Sequence, residues 1–501
     1  MSRETDLELA RTLSENHKWD DAYKIADRYL VEDPNDVQAL AIMTYIMLGA
    51  GKPAIAYHLA KGGTRLAPRE AGMWMNLGMA AGDLWQSKEA ARHYERGLKL
   101  AKTDKQRSMM CINIASILID TGRFAEGEPY AKRAIEYEPD SVKGNANLGF
   151  SYLGQRKFKE GWKQYRYAIG TETRPRHQYQ DEPMWDGKGK GNIALISEQG
   201  IGDVISFASM IPDAVEWAKK NDSQIIVDCE KRLQPLLQRS FPDAKVYGTM
   251  LQPTVEWDEV PDYSLIMGQL GEYYRTDVKD FPGTPYLVPD PDRVIQWKAL
   301  FESKKKPVIG IAWRGGIPRT GARFRQWDLE QLLPILKSVD AHFVSLQYRS
   351  SEKEIAAFKK LHPEIDLVEY PYATLSNDYD DTVAMVACMD HVVTMQTAIN
   401  HVAGALGVPC WTHVPNNSQW RYGEGYEDML WAKSIRIIRQ KTKGEWSDTI
   451  KETAEALSAN FPRVQKGNGK PARTGKVRRG GKTRQRRNKS NNRAGEDHAS
   501  A

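Results

Sequence analysis

Four cysteines are all that this 501-residue chain contains, and none stands in CxxC spacing. Cys111, Cys229, Cys388 and Cys410 are widely scattered, which argues against a disulfide framework or a zinc site and fits reduced, buried thiols. No run of about 18 apolar residues occurs, so no membrane-spanning helix is expected. The opening Met1-Ser2-Arg3-Glu4-Thr5-Asp6 is polar and acidic, unlike a secretory leader. These absences together predict a cytoplasmic protein. The glycine-rich loops present match neither G-x-G-x-x-G nor a P-loop, so the two commonest phosphate fingerprints are missing. At this length two to four domains are expected.

Charge is unevenly placed. From Lys466 to Ala501 twelve Lys/Arg face two acids, a net of +10 that exceeds the +6 of the whole chain. The first 465 residues therefore carry −4. The segment 463–501 is rich in Lys, Arg, Gly and Asn, has almost no large apolar residue, and is expected to be a disordered basic tail. It lacks aromatics for base stacking, so any nucleic-acid binding through it is expected to be non-specific and salt-dependent.

What is present begins with a period. Ala22, Ala56 and Ala90 stand 34 apart, as do Pro34 and Pro68; Ala115 and Gly149 repeat the spacing after a three-residue slip near Lys102–Gln106. Small residues at such positions let paired helices approach closely, while Trp74, Leu77, Tyr94, Leu98, Leu148, Tyr152 and Tyr165 fill the space between units. Pro34, Pro68 and Pro139 fall where second helices should stop. The pattern resembles the tetratricopeptide repeat, with about five units over residues 3–171, and predicts an α-solenoid with a concave binding surface.

A polar, proline-bearing stretch over 172–191 reads as a connector. From Asn192 short apolar runs alternate with amphipathic ones. Strands are expected at 193–197, 224–228, 263–267, 308–312, 342–346, 391–395 and 408–411, and helices at 212–220, 329–338, 351–361 and 397–406. Such alternation implies parallel sheets covered by helices. Prolines between Asp280 and Lys306 divide the region into two lobes, 192–290 and 305–462.

Three segments carry candidate chemistry. Ser197-Glu198-Gln199-Gly200-Ile201-Gly202-Asp203 links a strand to a helix, and its glycines permit close backbone approach to a ligand. A plain strand-to-helix turn capped by Asp203 accounts for the same residues. Trp313-Arg314-Gly315-Gly316, followed by Arg319, Arg323 and Arg325, places planar cations at a strand's carboxyl end, where phosphate-bearing ligands bind in α/β sheets; a solvated basic loop is the alternative. Asp381 and Thr382 precede a third segment, Gln396-Thr397-Ala398, which opens a helix with His401 one turn on. A lone histidine there is usually structural.

In order along residues 160–415, these segments closely resemble a bacterial and phage family that fuses tetratricopeptide repeats to a glycosyltransferase domain. The resemblance rests on Glu160-Gly161-Trp162-Lys163-Gln164-Tyr165, Met184-Trp185-Asp186-Gly187, Glu198–Asp203, Pro285-Tyr286-Leu287, Gly310-Ile311-Ala312-Trp313, Arg323-Phe324-Arg325, Val344-Ser345-Leu346-Gln347, Asp381-Thr382 and His401–Gly407. The second half is also similar to the heptosyltransferases. The resemblance implies a GT-B fold of two Rossmann-like lobes and metal-independent, inverting sugar transfer from a nucleotide-sugar donor substrate, with no other cofactor. It implies Asp203 as base, with Glu198 beside it. It assigns donor contacts to Trp313, Arg314, Arg323, Arg325, Gln347, Asp381, Thr382, Gln396, Thr397, Ala398 and His401, with Gly200 and Gly202 as loop glycines. Relatives usually carry Asp where this chain has Gln396, which removes a charge from the donor pocket and implies an altered donor preference. The acceptor stays open among protein, glycan and hydroxyl-bearing modified DNA in a bacterium or phage-infected host, and a decayed transferase acting as a repeat scaffold is the rival expectation.

Overall fold

The computed structural model describes residues 2–171, 174–176, 181–198, 200–250, 252, 257–316, 322–349, 351–375, 377–416 and 418–462. The basic tail lies outside the described residues. Ten helices come first: α1 (Arg3–Glu15), α2 (Trp19–Glu32), α3 (Val37–Gly49), α4 (Pro53–Leu66), α5 (Ala71–Asp83), α6 (Ser87–Leu100), α7 (Asp104–Asp120), α8 (Phe124–Tyr137), α9 (Val142–Gly154) and α10 (Phe158–Tyr165). They pair into five units, and α2, α4 and α8 stop just before Pro34, Pro68 and Pro139. The expected slip of register has a simple cause: α7 is 17 residues long where α5 has 13.

First helices of a pair are mostly capped by side chains, second helices are not. Ser2, Asp36, Thr103 and Ser141 accept from backbone N–H groups of α1, α3, α7 and α9, each worth about 1 kcal/mol. Second helices are entered through a left-handed residue instead, at His17, Gly51, Trp85, Gly122 and Arg156, with φ between 59° and 71°. Only two of these five are glycine, so this repeat of backbone shape is invisible in composition. Ala22, Ala56 and Ala90 are fully buried. A Cβ on Gly149 would stand 2.6 Å from the Tyr165 backbone nitrogen, so α9 and α10 touch main chain to main chain.

The rest of the chain is α/β. A four-stranded parallel sheet is built from β1 (Asn192–Ile196), β2 (Gln224–Asp228), β3 (Lys245–Tyr247) and β4 (Tyr263–Ile266), in the order β3-β2-β1-β4. Its helices are α11 (Ile201–Ala208), α12 (Ile211–Lys220), α13 (Gln234–Ser240) and α14 (Gly271–Tyr274). After α15 (Pro291–Glu302) comes a six-stranded parallel sheet in the order β10-β9-β8-β5-β6-β7. Its strands are β5 (Val308–Ala312), β6 (His342–Ser345), β7 (Leu367–Glu369), β8 (His391–Met395), β9 (Cys410–Val414) and β10 (Ile435–Arg439). The accompanying helices are α16 (Leu329–Ser338), α17 (Glu352–Leu361), α18 (Pro371–Thr374), α19 (Tyr379–Ala387), α20 (Ala398–Leu406) and α21 (Ser447–Asn460). Seven strands fall near their expected places. The expected Val408–Trp411 strand shifts to Cys410–Val414, and β3, β7 and β10 were not anticipated. The proline-bearing stretch from Asp280 to Lys306 is no bare linker, because it contains α15.

The 172–191 connector is also more than a tether. Arg174 and Trp185 are fully buried within it. Arg174 donates to both Glu198 oxygens at 2.7 and 2.9 Å, to the Tyr165 carbonyl at 2.9 Å and to Gln269 at 3.2 Å, with its guanidinium 3.7 Å from the Tyr165 ring centre. The Gly268 N–H adds a third bond to Glu198 at 3.1 Å. Last repeat, connector and first sheet thus share one buried ion pair. The core is continuous there: Phe158, Trp162 and Tyr165 pack with Trp185, Phe207 and Leu270.

The repeats also bind the second sheet lobe. Glu424 accepts from the Ala125 N–H at the start of α8 (2.8 Å), and Arg156 pairs with Asp428 (2.8 Å) while lying 3.5 Å over the Tyr426 ring. Removing one partner of a fully buried pair strands the other's charge, at a cost of about 3–5 kcal/mol. Arg174→Ala should therefore lower the urea midpoint sharply, whereas joint Arg174→Met, Glu198→Leu replacement should cost less; equal losses would show that packing rather than charge dominates.

Candidate functional site

The site is assembled where the two sheet lobes meet, at the start of α11 and of α20. A Cβ on Gly202 would lie 3.2 Å from the Ala398 Cα and 3.1 Å from the His401 ring. Ser206, one turn on in α11, meets His401, one turn on in α20. The two helices therefore run side by side in the same sense, with adjacent N-termini. Their unpaired N–H groups make this an electropositive corner. The Pro285-Tyr286-Leu287 segment staples it: the Tyr286 hydroxyl donates to the Ile205 carbonyl, while the Tyr286 and Leu287 N–H groups donate to the Ala405 carbonyl at 2.9 and 3.1 Å.

Asp203 sits in this corner. One carboxylate oxygen accepts from the Gly200 N–H at 3.1 Å, closing the first turn of α11. The other accepts from Arg421, which comes from the opposite lobe in the loop after β9. Arg421 is 3% exposed, also donates to Gln419 at 3.0 Å, and lies over the Phe207 and Trp420 rings at 5.4 and 5.2 Å. Each Asp203 oxygen keeps a second lone pair, so the carboxylate is oriented rather than consumed.

His401 is organised by its neighbours. His401 Nδ1 lies 2.8 Å from the Ser206 hydroxyl, which is itself 2.9 Å from the Gly202 carbonyl. Nε2 lies 3.2 Å from the Tyr422 hydroxyl, itself 3.1 Å from Asn400 Oδ1, so a neutral ring donates to one of the two hydroxyls and accepts from the other. Burial, assisted by Arg421, pushes the imidazole down to about 3. A neutral ring with both nitrogens occupied joins the lobes and supplies no cation to a phosphate.

Thr397 caps α20: its hydroxyl accepts from the Ile399 N–H at 3.2 Å, and Asn400 accepts from the Thr397 N–H at 3.1 Å. Gly315 faces it closely, since a Cβ there would stand 2.4 Å from the Thr397 methyl. Arg325 is 6% exposed, and desolvation lowers its pKa; Tyr422, Tyr348 and Asp203 are close enough to oppose that shift. Gln396, 3% exposed, has no partner for either amide atom among the described residues, and neither has Asn400 Nδ2.

The remaining expected residues are placed otherwise. Glu198, expected beside the base, is sealed around Arg174. Trp313 is fully buried and donates to Glu354 at 3.1 Å, and Arg314 pairs with the same carboxylate at 2.6 Å. Gln347 is an internal strut whose amide oxygen, turned toward the β5 exit, accepts from the Trp313 and Arg314 N–H groups at 2.6 and 3.1 Å. Asp381 pairs with Arg293 at 2.8 Å and Thr382 donates to the Ala373 carbonyl, so both fasten α19. Arg319 and the Arg323 side chain lie outside the described residues. Arg421, Tyr422, Ser206 and Asn400 were missed; the signal that points to the first two is Trp420-Arg421-Tyr422, aromatic and cationic, just past a strand's carboxyl end.

Comparison with known proteins follows this division. The Tetratricopeptide repeat family matches residues 110–141, which span most of α7 and all of α8 in the N-terminal helical repeats. Protein FlbA of Caulobacter vibrioides is 28% identical over 459 residues, covering 87% of this chain and 75% of its own length. Among solved structures, MamA is 18% identical, covering 32% of this chain and 91% of its own (TM-score 0.28). A thermophilic TPR protein of Thermus thermophilus is 21% identical, covering 33% and 90% (TM-score 0.30). Pseudomonas aeruginosa pilF is 12% identical, covering 48% and 93% (TM-score 0.34). With TM-scores this low, the structures add nothing to the assignment of the α/β half. No helix among the described residues is long and apolar enough to cross a membrane.

The depressed His401 pKa fixes a sign. An unfolded histidine binds a proton below about pH 6.5 and the folded one does not until about pH 3, so stability is full above pH 6.5 and falls as pH drops. Between pH 6.5 and 5 the loss from this group is about 2 kcal/mol. His401→Asn should flatten the pH dependence of the urea midpoint by about one proton; an unchanged slope would place the acid sensitivity elsewhere.

Proposed function

We infer that this chain is a nucleotide-sugar-dependent glycosyltransferase of GT-B type whose repeats engage a protein acceptor. The observation that carries the reading is the corner itself: a carboxylate from one lobe, two adjacent helix N-termini, and two buried guanidiniums, Arg325 and Arg421. Asp203 is the general base that takes the acceptor hydroxyl's proton as that oxygen attacks the anomeric carbon on the face opposite the departing nucleotide. The α20 N-terminus and Arg325 stabilise charge developing on the leaving diphosphate. Gln396 and the Asn400 amide bring buried polar atoms unmatched by described protein groups, and a donor's polar substituents suit them.

Tetratricopeptide-repeat proteins bind partner proteins, which supports a protein acceptor over modified DNA; the DNA reading rests on the basic tail, outside the described residues. A second reading has one observation in its favour. Arg421 already holds Asp203, as it would in a transferase lobe retained only for ligand binding.

One experiment separates them. Purified protein is incubated with mixed nucleotide sugars and candidate protein, glycan and modified-DNA acceptors, and products are read by mass spectrometry. Transfer that falls about 10²–10⁴-fold in Asp203→Asn, with donor binding kept, is the expected result. Donor binding without transfer in the parent protein supports the binding module, and absence of both would sink either reading. With an active donor in hand, Arg325→Gln should weaken donor binding at least tenfold by calorimetry; unchanged affinity would remove Arg325 from the donor site.

A further inference from the structure

Between the repeats and the second sheet lobe lies a cavity of about 610 Å³, within the usual range for an organic ligand. Its repeat-side wall comes from consecutive units, and Phe324, Asn416 and Lys443 close it from the lobe. The walls are mainly apolar and include Trp85 and Phe324, whose rings meet edge-on at 4.9 Å. Two carboxylates open into it. Asp83 and Asp120 are the last residues of α5 and α7, so each stands at the negative end of its helix.

Neither carboxylate has a protein partner among the described residues: no hydrogen bond or ion pair reaches them. Both carboxylates are exposed at the cavity's edge, and partial desolvation by its walls raises both. One described cation lines the cavity: Lys443 donates to the Trp85 carbonyl at 3.2 Å and sits 4.8 Å over the Phe324 ring. Tyr94 is the other titratable neighbour, and burial raises it beyond the range where it ionises. An apolar, aromatic cavity edged by two exposed carboxylates is complementary to a side chain with an aliphatic stem and a cationic head.

The location adds a second argument. Phe324 is the neighbour of Arg325, and Asn416 begins the loop that carries Arg421 to Asp203. The cavity thus backs onto the two loops that build the candidate site. We propose that it docks an extended polypeptide segment bearing arginine or lysine, and that this segment belongs to the acceptor protein. The second half rests on the transferase reading; the first does not.

The test uses the full chain and a nine-residue glycine–serine peptide carrying two arginines, with its citrulline counterpart as control, and calorimetry without any sugar nucleotide. At pH 7.5 the arginine peptide should bind at least tenfold more tightly than the citrulline peptide. Asp83→Asn and Asp120→Asn should each remove most of that preference without changing the circular dichroism spectrum. No binding, equal binding of both peptides, or full preference in both variants overturns the proposal. In a transfer assay with the arginine peptide fused to an accepted substrate, Asp120→Asn should raise KM and leave kcat. If arginine-selective binding holds while no sugar is ever transferred, the cavity stands and the transferase reading falls.

Discussion

Contact between α11 and α20 is the constraint on which the rest of the candidate site depends. It favours Gly202, because a Cβ there would stand 3.1 Å from the His401 ring and 3.2 Å from the Ala398 Cα, tighter than ordinary contact. It also keeps His401 neutral, because burial in the seam and the nearby Arg421 disfavour the charged ring. With the helices side by side, two sets of unpaired N–H groups share one corner. Two buried guanidiniums nearby would be costly without a countercharge, and Asp203 is the carboxylate that the corner provides.

The same economy of buried charge explains the junction with the repeats. Arg174 and Glu198 are both fully enclosed, and their bonds reach the last repeat, the connector and the first sheet. A repeat array normally needs a polar cap at its end. Here the terminal repeat is capped by the α/β half itself, through Trp162, Tyr165 and this ion pair. The solenoid is thus fixed against the lobes, and Glu424, Arg156 and Trp85 hold it at three further points. Whatever the repeats bind is held in a defined place relative to Asp203.

Much of the fold was legible because it is local. A 34-residue period in small residues predicts stacked helix pairs, and the slip in that period marks the longer α7. Buried parallel strands announce themselves as apolar runs such as Val308–Ala312. The missed strands show the limit: β3 and β7 have three residues each, and the apolar run of β10 is broken by Arg436 and ends at Arg439. The left-handed turns at His17, Trp85 and Arg156 carry no compositional mark, since backbone sterics there are overruled by packing on either side.

For the site, strand ends, helix starts and the family resemblance together brought Gly200, Gly202, Asp203, Arg325, Gln396, Thr397 and Ala398 forward as chemistry-bearing residues. They could not decide what each side chain faces. Glu198 and Asp203 are five residues apart, yet one is sealed around Arg174 and the other faces Arg421, more than two hundred residues away. Trp313, Gln347, Asp381 and Thr382 likewise turned to internal partners. The physical reason is range. Helix and strand periodicity follow from neighbours along the chain, so the sequence by itself determined the repeats and the sheet-forming lobes. Charge pairing, desolvation and the tautomer of His401 depend on groups that only chain folding brings together, so the tertiary structure alone decided which residues form the site.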